Sequence, residues 1–345
     1  MLLGALLAMK AIVLNGSNLS LEEKEKPFPQ IGEVRIRVKA VGFNPVDWKI
    51  RDQWFGTPAS DILGSDASGV VDAIGEGITR FKVGDEVYAM TMSRCSNGSY
   101  AEYTCIPEEL LAKKPSTLSF EQAAAIPLTA MTAYRMTLAE NTIKKGDTVF
   151  IPGAGGGVGT FATQFAELAK AQSIMTVAKN EKSKNYLHEH SHIPLDNILI
   201  YEGLSTEELT KKLIEMNGGN RFDVSVDLVG GSMKEVCLHV TQDTGTFVTI
   251  VGYGETYPDD QCAIKQVFVG TELGDFARAL PGKTDRSQWT IYTDHMHLIS
   301  QMLESGDIEP PSVHDLGTLA TETVEQAHAL LKAGRTKGKL IMSVP

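Results

Sequence analysis

The stretch Thr148-Val-Phe-Ile-Pro-Gly-Ala-Gly-Gly-Gly-Val-Gly159, running on into Thr160-Phe-Ala-Thr-Gln-Phe-Ala-Glu-Leu-Ala169, constrains this chain more than any other. It sets an apolar strand, a glycine turn and an amphipathic helix in the order that a dinucleotide site requires. A pyrophosphate must come within hydrogen-bond distance of backbone N–H groups, and Cβ atoms would block it. The following helix offers unpaired N–H groups and a positive dipole end to the phosphate charge. Counting back from Gly159 gives Ala154-x-Gly156-x-x-Gly159, with alanine in the first glycine's place. Ala154, Gly156, Gly157, Val158 and Gly159 are therefore the expected pyrophosphate contacts, the alternative being a plain flexible turn.

The flanking pattern supports the same reading. Apolar strand-like runs at 148–152, 174–178, 197–201, 223–228 and 246–251 alternate with helical stretches near 158–171, 180–190, 205–216 and 231–240. Such alternation means a parallel sheet covered on both faces. Residues 10–110 are instead β-rich: Glu33-Val-Arg-Ile-Arg-Val-Lys39 alternates apolar and charged residues, and short strands at 68–74, 85–89 and 100–105 are set off by glycine turns. That rhythm suggests a small barrel. Ser119-Phe-Glu-Gln122 carries a capping-box pattern ahead of a short alanine-rich helix. After about 275 come a helix near 291–305, a Pro310-Pro311 break, a helix near 321–333 and a terminal strand at 339–344. A length of 345 residues suits about two domains.

Composition narrows the partners. The net charge of −11 opposes binding to nucleic acid or an anionic membrane surface. Cys95, Cys105, Cys237 and Cys262 form no CxxC pair and are too few for a disulfide scaffold, which fits a reducing cytoplasm. No apolar run approaches the roughly 20 residues that span a bilayer. Residues 1–8 lack the basic start of a signal peptide and read as an extension ahead of Met9. His188, His190 and His192 have a spacing that shares a face on a strand but not on a helix, so a solvated helix end is expected there rather than a metal site.

The second strand of the alternating region runs into Lys179-Asn-Glu-Lys182. An acid at its end would accept from a ribose 2′-hydroxyl, but the first positions offered are Ala178 and Lys179. A cation there suits a 2′-phosphate, through charge-assisted hydrogen bonds worth about 1.5–3 kcal/mol each. NADPH is expected over NADH, and an ordinary solvated helix start is the alternative.

With those residues assembled, the chain resembles the zinc-independent medium-chain dehydrogenase/reductases, specifically their quinone oxidoreductase branch, from about Met9 to Val344. The carriers are Val41-Gly-Phe-Asn-Pro-Val-Asp-Trp-Lys-Ile-Arg51, Leu63-Gly-Ser-Asp-Ala-Ser-Gly-Val-Val71, Phe81-Lys-Val-Gly-Asp-Glu-Val87, Ala124-Ala-Ile-Pro-Leu-Thr-Ala-Met-Thr-Ala-Tyr134, the glycine loop and Gly334-Arg-Thr-Lys-Gly-Lys-Leu-Ile-Met342. The resemblance implies an α/β fold in which a Rossmann doubly wound parallel sheet is inserted into a GroES-like β-barrel catalytic domain. Residues 9–126 and 275–345 would form the catalytic domain and 127–274 the NADPH-binding domain, with the cofactor in the cleft between them and a homodimer as the assembly. It also implies that Thr129 and Thr132 approach the nicotinamide or its ribose, and that Lys182 and Tyr201 flank the 2′-phosphate. Pro45, Gly252, Tyr253, Phe268, Val269 and Lys339 would be further cofactor contacts.

Zinc-dependent relatives supply a Cys and a Gly-His-Glu motif to the metal, where this chain has Asn44-Pro-Val-Asp47 and Gly64-Ser-Asp66. Neither thiolate nor imidazole remains, so no metal is expected. The acceptor must then be electron-poor already, as a quinone or an α,β-unsaturated carbonyl is. Negative charge developing on its oxygen would be met by donors in the site. Asn44 and Lys49 are the candidates, with Asp47 orienting one or the other. Lys49 reads equally as an Asp47 partner or a surface lysine, and Asn44 as a turn residue before Pro45. Enoyl-thioester reductases of the superfamily carry a tyrosine proton donor here, but Ile50-Arg-Asp-Gln-Trp-Phe55 has none. Trp48, Trp54 and Phe55 suit either an aromatic-lined cleft or core packing. The rivals are an enoyl-thioester reductase and a low-turnover NADPH-binding protein with a structural or regulatory role.

Overall fold

The computed structural model describes residues 8–54, 57–58, 60–91, 98–252, 263–266, 289–334 and 336–345, with 264–266 described by backbone alone. Tyr253, Phe268, Val269, Phe55, Cys95, Cys262 and the leader before Ala8 lie outside them. The chain divides into two compact units, Met1–Met131 with Gly270–Pro345, and Thr132–Val269.

The first unit opens with an antiparallel pair, β1 (Ala8–Asn15) and β2 (Asn18–Glu25). Strand β3 (Glu33–Gly42) follows, and its alternation has the expected consequence: Val34, Ile36 and Val38 are fully buried. Against β3 lies β4 (Asp66–Ile74), then β5 (Glu86–Met90), all antiparallel. Strand β6 (Tyr103–Pro107) pairs with β3, and β7 (Leu111–Lys113) with β5. Ser119 caps the helix Phe120–Ala124 through the reciprocal Ser119/Gln122 box read from the sequence.

The second unit is the alternating one. Its strands are β8 (Thr148–Phe150), β9 (Ser173–Ala178), β10 (Ile198–Ile200), β11 (Phe222–Asp227), β12 (Thr241–Thr249) and β13 (Ala263–Gln266). They form one parallel sheet in the order β10-β9-β8-β11-β12-β13. The order reverses between β8 and β11, which makes the carboxyl end of β8 the switch point where doubly wound sheets bind ligands. Phe150, Phe222 and Phe247 pack with Leu213, Cys237 and Val240 into a buried cluster between the sheet and the helices that cover this face.

The chain then returns to the first unit. The helix Thr290–Ser305, β14 (Val313–Thr318), the helix Thr321–Lys332 and β15 (Lys339–Ser343) complete it. Strand β15 runs parallel to β14 and antiparallel to β3, with Ile341 opposite Gly42, so the last strand enters the sheet begun by the third. Among the described residues no helix is long and apolar enough to cross a membrane.

Several elements escape the sequence pattern. Strands β2 and β14 are largely exposed and polar, and β7 is only three residues long. Strand β12 starts at Thr241 rather than 246; its first residues, Thr-Gln-Asp-Thr-Gly, carry no apolar face and so leave no strand pattern in the sequence.

Gly159 has a local steric reason to be glycine. A Cβ there would stand 2.2 Å from the Gly153 carbonyl oxygen and 2.6 Å from Ala154 Cα. Gly159→Ala is expected to cost about 1–3 kcal/mol and to lower the melting temperature in a calorimetric scan. An unchanged melting temperature would refute the close approach of the helix's first turn to the loop backbone.

Candidate cofactor and catalytic site

In the second unit the glycine loop leaves β8 and becomes the helix Gly157–Leu168, with Gly156 at its N-cap. The glycines divide by purpose. Gly159 is excluded from side chains by the loop's own backbone, and a Cβ on Gly155 would meet the Leu187 and Tyr186 side chains at 3.1 and 3.4 Å. A Cβ on Gly156 would meet only the Gly153 carbonyl, at 3.5 Å. Open space at Gly156, beside the first-turn N–H groups of Gly157, Val158 and Gly159, fits a pyrophosphate. Ala154 is fully buried under the turn.

The rim at which a doubly wound sheet reads an adenosine ribose is formed here by the carboxyl ends of β9 and β10. Tyr201 follows β10 directly, its N–H donates to the Ala178 carbonyl at 3.0 Å, and its ring packs on the core. Lys179 and Lys182 are exposed on the same rim. Lys179 Nζ lies 3.8 Å from Glu202, an acid that the sequence reading did not weigh. The loops after β11 and β12 are tied by Asp227, also missed. Its fully buried carboxylate accepts from Val229 N, Gly230 N and Thr249 Oγ1 at 3.0, 2.8 and 2.8 Å. Gly252, just beyond, takes φ +85°. The legible signal was an acid closing an apolar strand ahead of Gly230-Gly231. Thr132 is buried. The histidines are occupied locally: His188 and His190 Nδ1 donate to the Ile193 and Tyr186 carbonyls, and His192 is a left-handed C-cap. Among the described residues no three His, Cys, Asp or Glu side chains converge as metal ligands.

In the first unit, the two segments that stand where zinc-dependent relatives carry metal ligands come together as a buried polar network. Asn44 Nδ2 donates to Asp66 Oδ2 at 2.8 Å. Lys339 Nζ donates to Asn44 Oδ1 at 2.6 Å and to Asp66 Oδ2 at 3.0 Å, while the backbone N–H of Leu128 meets Asp66 Oδ1 at 2.8 Å. Lys339 is 3% exposed and Asp66 0%. The ammonium expected among the cofactor contacts is thus committed to Asp66 and Asn44, because a buried carboxylate without a partner would be far more costly. Burial raises the Asp66 carboxyl above its ordinary range, opposed by Lys339.

Asp47 does a different job. It closes a capping box on the helix Pro45–Arg51, accepting from Asn44 N at 2.7 Å, and it takes the Ser65 hydroxyl at 2.5 Å on its other oxygen. Pro45 opens that helix and is exposed. Burial pushes the Asp47 carboxyl up to about 7, despite those hydrogen bonds. Beside it Tyr100 bonds to His328 at 3.0 Å, and burial holds that imidazole at about 4, hence neutral at pH 7. Thr129 is buried, its hydroxyl proton shared between the Ala125 and Ile126 carbonyls, so it would meet a ligand as an acceptor.

The structure does not bring Lys49 into this network. Residues two apart on a helix do not face each other, so the Asp47 carboxylate turns to Asn44 and Ser65. The Lys49 ammonium lies 5.8 and 5.5 Å from the Trp48 and Trp54 rings, and its pKa is lowered by burial. Those rings meet edge to face at 5.1 Å. They form a cation–aromatic cluster, with Lys332 5.2 Å from Trp48.

Residues 30–116 match the family of alcohol dehydrogenase GroES-like domains, and residues 203–342 match the zinc-binding dehydrogenase family. The chain belongs to the medium-chain dehydrogenase/reductase superfamily. It is 29% identical over 336 residues to a zinc-type alcohol dehydrogenase-like protein of Staphylococcus aureus, covering 95% of this chain and 96% of that one. It is 29% identical over 318 residues to a quinone oxidoreductase of Pseudomonas aeruginosa, covering 90% of each. Among solved structures, an NAD-dependent alcohol dehydrogenase superposes with a TM-score of 0.79 at 27% identity over 98% of this chain and all of the other. A mycobacterial protein complexed with NADPH does so at 0.79 and 23%, covering 97% and 99%, a likeness of fold. The protein is thus an oxidoreductase with a Rossmann sheet for a nicotinamide dinucleotide and a GroES-like domain.

Two outcomes follow from this geometry. Gly156→Val is expected to leave the melting temperature nearly unchanged while weakening dinucleotide binding at least tenfold by fluorescence titration. Protonated Asp47 is favoured in the folded protein, so the stability it contributes is full below about pH 4 and is lost as the pH rises through about 7. Urea unfolding of wild type relative to Asp47→Asn should therefore decline by on the order of 4 kcal/mol from pH 4 to 8, and a flat difference would contradict the burial of that carboxyl.

Proposed function

We propose that the protein is an NADPH-dependent reductase of quinones or of the activated double bond of α,β-unsaturated carbonyls. The observation that carries this reading is the buried Asn44–Asp66–Lys339 network. It offers a carboxamide held by an ammonium and a carboxylate, a donor set that polarises an oxygen through hydrogen bonds. Such a set suits an acceptor that is electron-poor before it binds. When bound, the dinucleotide supplies the hydride.

Asn44 has two N–H bonds to give. One goes to Asp66 at 2.8 Å, and the nearest other acceptor, the Gly42 carbonyl, is at 3.5 Å, so the second is held loosely enough to turn to a substrate oxygen. Lys339 is a donor only and can face only the carbonyl end of the amide, which fixes the amide's orientation and polarises it. Asp47 holds the Asn44 backbone at the helix cap. Lys179, Lys182 and Tyr201, together at the ends of β9 and β10, support the preference for NADPH. Likeness to the superfamily supports a homodimer acting on small molecules.

The test is NADPH oxidation at 340 nm with a quinone, a small alkenone and an enoyl thioester. Turnover with either of the first two is expected. Turnover with the thioester alone, or none at all despite tight NADPH binding, would overturn the reading. Asn44→Ala should lower kcat about 10²–10³-fold, whereas Lys49→Met should leave kcat within about threefold.

A further inference from the structure

We propose that Glu202 sets the selectivity between phosphorylated and unphosphorylated nicotinamide dinucleotides by competing with the 2′-phosphate for Lys179. The inference rests on the reading that the 2′-position of the adenosine ribose is met at the ends of β9 and β10.

Strands β9 and β10 are parallel neighbours, with Ile200 opposite Ala178, and the Tyr201 N–H closes on the Ala178 carbonyl at 3.0 Å. The chain therefore leaves both strands at the same level. The first side chain beyond β9 is Lys179, and Glu202 follows Tyr201 beyond β10. Their charged ends come to 3.8 Å, with the side chains 56% and 57% exposed. In doubly wound sheets the end of the second strand is where the ribose 2′-substituent is read. Here that end carries a cation and no acid, and the acid arrives from the adjacent strand. One rim thus holds an ammonium suited to a phosphate and a carboxylate suited to ribose hydroxyls.

The geometry makes the pair displaceable. An exposed ion pair of this kind shifts an equilibrium by about fivefold at most, while a phosphate offers Lys179 a stronger, charge-assisted partner. When NADPH binds, Lys179 exchanges Glu202 for the phosphate, and Glu202 is left beside like charge. When NADH binds, the pair persists and Glu202 accepts from the 2′-hydroxyl. Neighbouring charges do not cancel this contrast, since Glu181 and Lys182 head the adjacent helix as one acid and one base. Glu202 therefore narrows the preference that Lys179 creates.

The test is binding, not turnover: dissociation constants for NADPH and NADH by fluorescence titration, without acceptor, for wild type, Glu202→Gln, Lys179→Met and the double variant. Glu202→Gln should tighten NADPH about two- to fivefold at low salt and loosen NADH at least twofold. The NADPH gain should shrink toward unity near 0.5 M salt and be clearly smaller in the Lys179→Met background, where only the repulsion between Glu202 and the phosphate is left to relieve. A NADPH/NADH ratio within 1.5-fold of wild type, or an equal gain with and without Lys179, would overturn the proposal. Wild type binding NADH more tightly than NADPH would instead sink the NADPH reading, while the shift on Glu202→Gln would still decide this one.

Discussion

The first unit depends on one buried ammonium. Lys339 stands near the end of the chain, yet its Nζ is shared between Asn44, just after β3, and Asp66, at the start of β4. Strand pairing of β15 with β3 brings it there. Without that cation Asp66 would keep only an amide and a backbone N–H, and removing one partner of a buried ion pair is strongly destabilising. Ion pair and sheet register are therefore one constraint: a slip of β15 by one residue would turn Lys339 to the other face.

The two buried carboxylates described in the first unit, Asp47 and Asp66, show how position divides labour. Asp66 is balanced by an ammonium, an amide and a backbone N–H. Asp47, which forms no ion pair with the nearby Lys49, is balanced by a hydroxyl and a helix N-terminus, and burial moves it into the neutral range. A similar division appears in the second unit, where the glycine loop leaves backbone N–H groups open at a helix start and charged side chains lie exposed at the ends of β9 and β10.

The glycine loop was legible because its constraint is local: strand, turn and helix are contiguous, and the excluded Cβ atoms are counted within a dozen residues. The capping box at Ser119 and Gln122, the alternation of β3 and the β/α rhythm were legible for the same reason. Asn44 and Asp47 could be singled out, but not what they touch. The Asp47–Lys49 pairing considered from sequence fails on helix geometry, and Lys339, expected at the cofactor, turns inward to Asp66. Strands β2 and β14 left little trace because each has only two apolar residues, too few to set up a clear alternation.

Sequence alone determined the class of fold, the dinucleotide loop and a cation at the second strand's end, since each is written in neighbouring residues whose spacing follows backbone geometry. Only tertiary structure decided that Lys339 serves Asp66, that Asp47 serves a helix cap, and that Glu202 reaches Lys179. Those pairings join residues 273, 3 and 23 apart in the chain. The short one is set by a helix start and the long ones by strand registers. A carboxylate's role depends on which donors burial leaves within reach, and that is settled when strands pair.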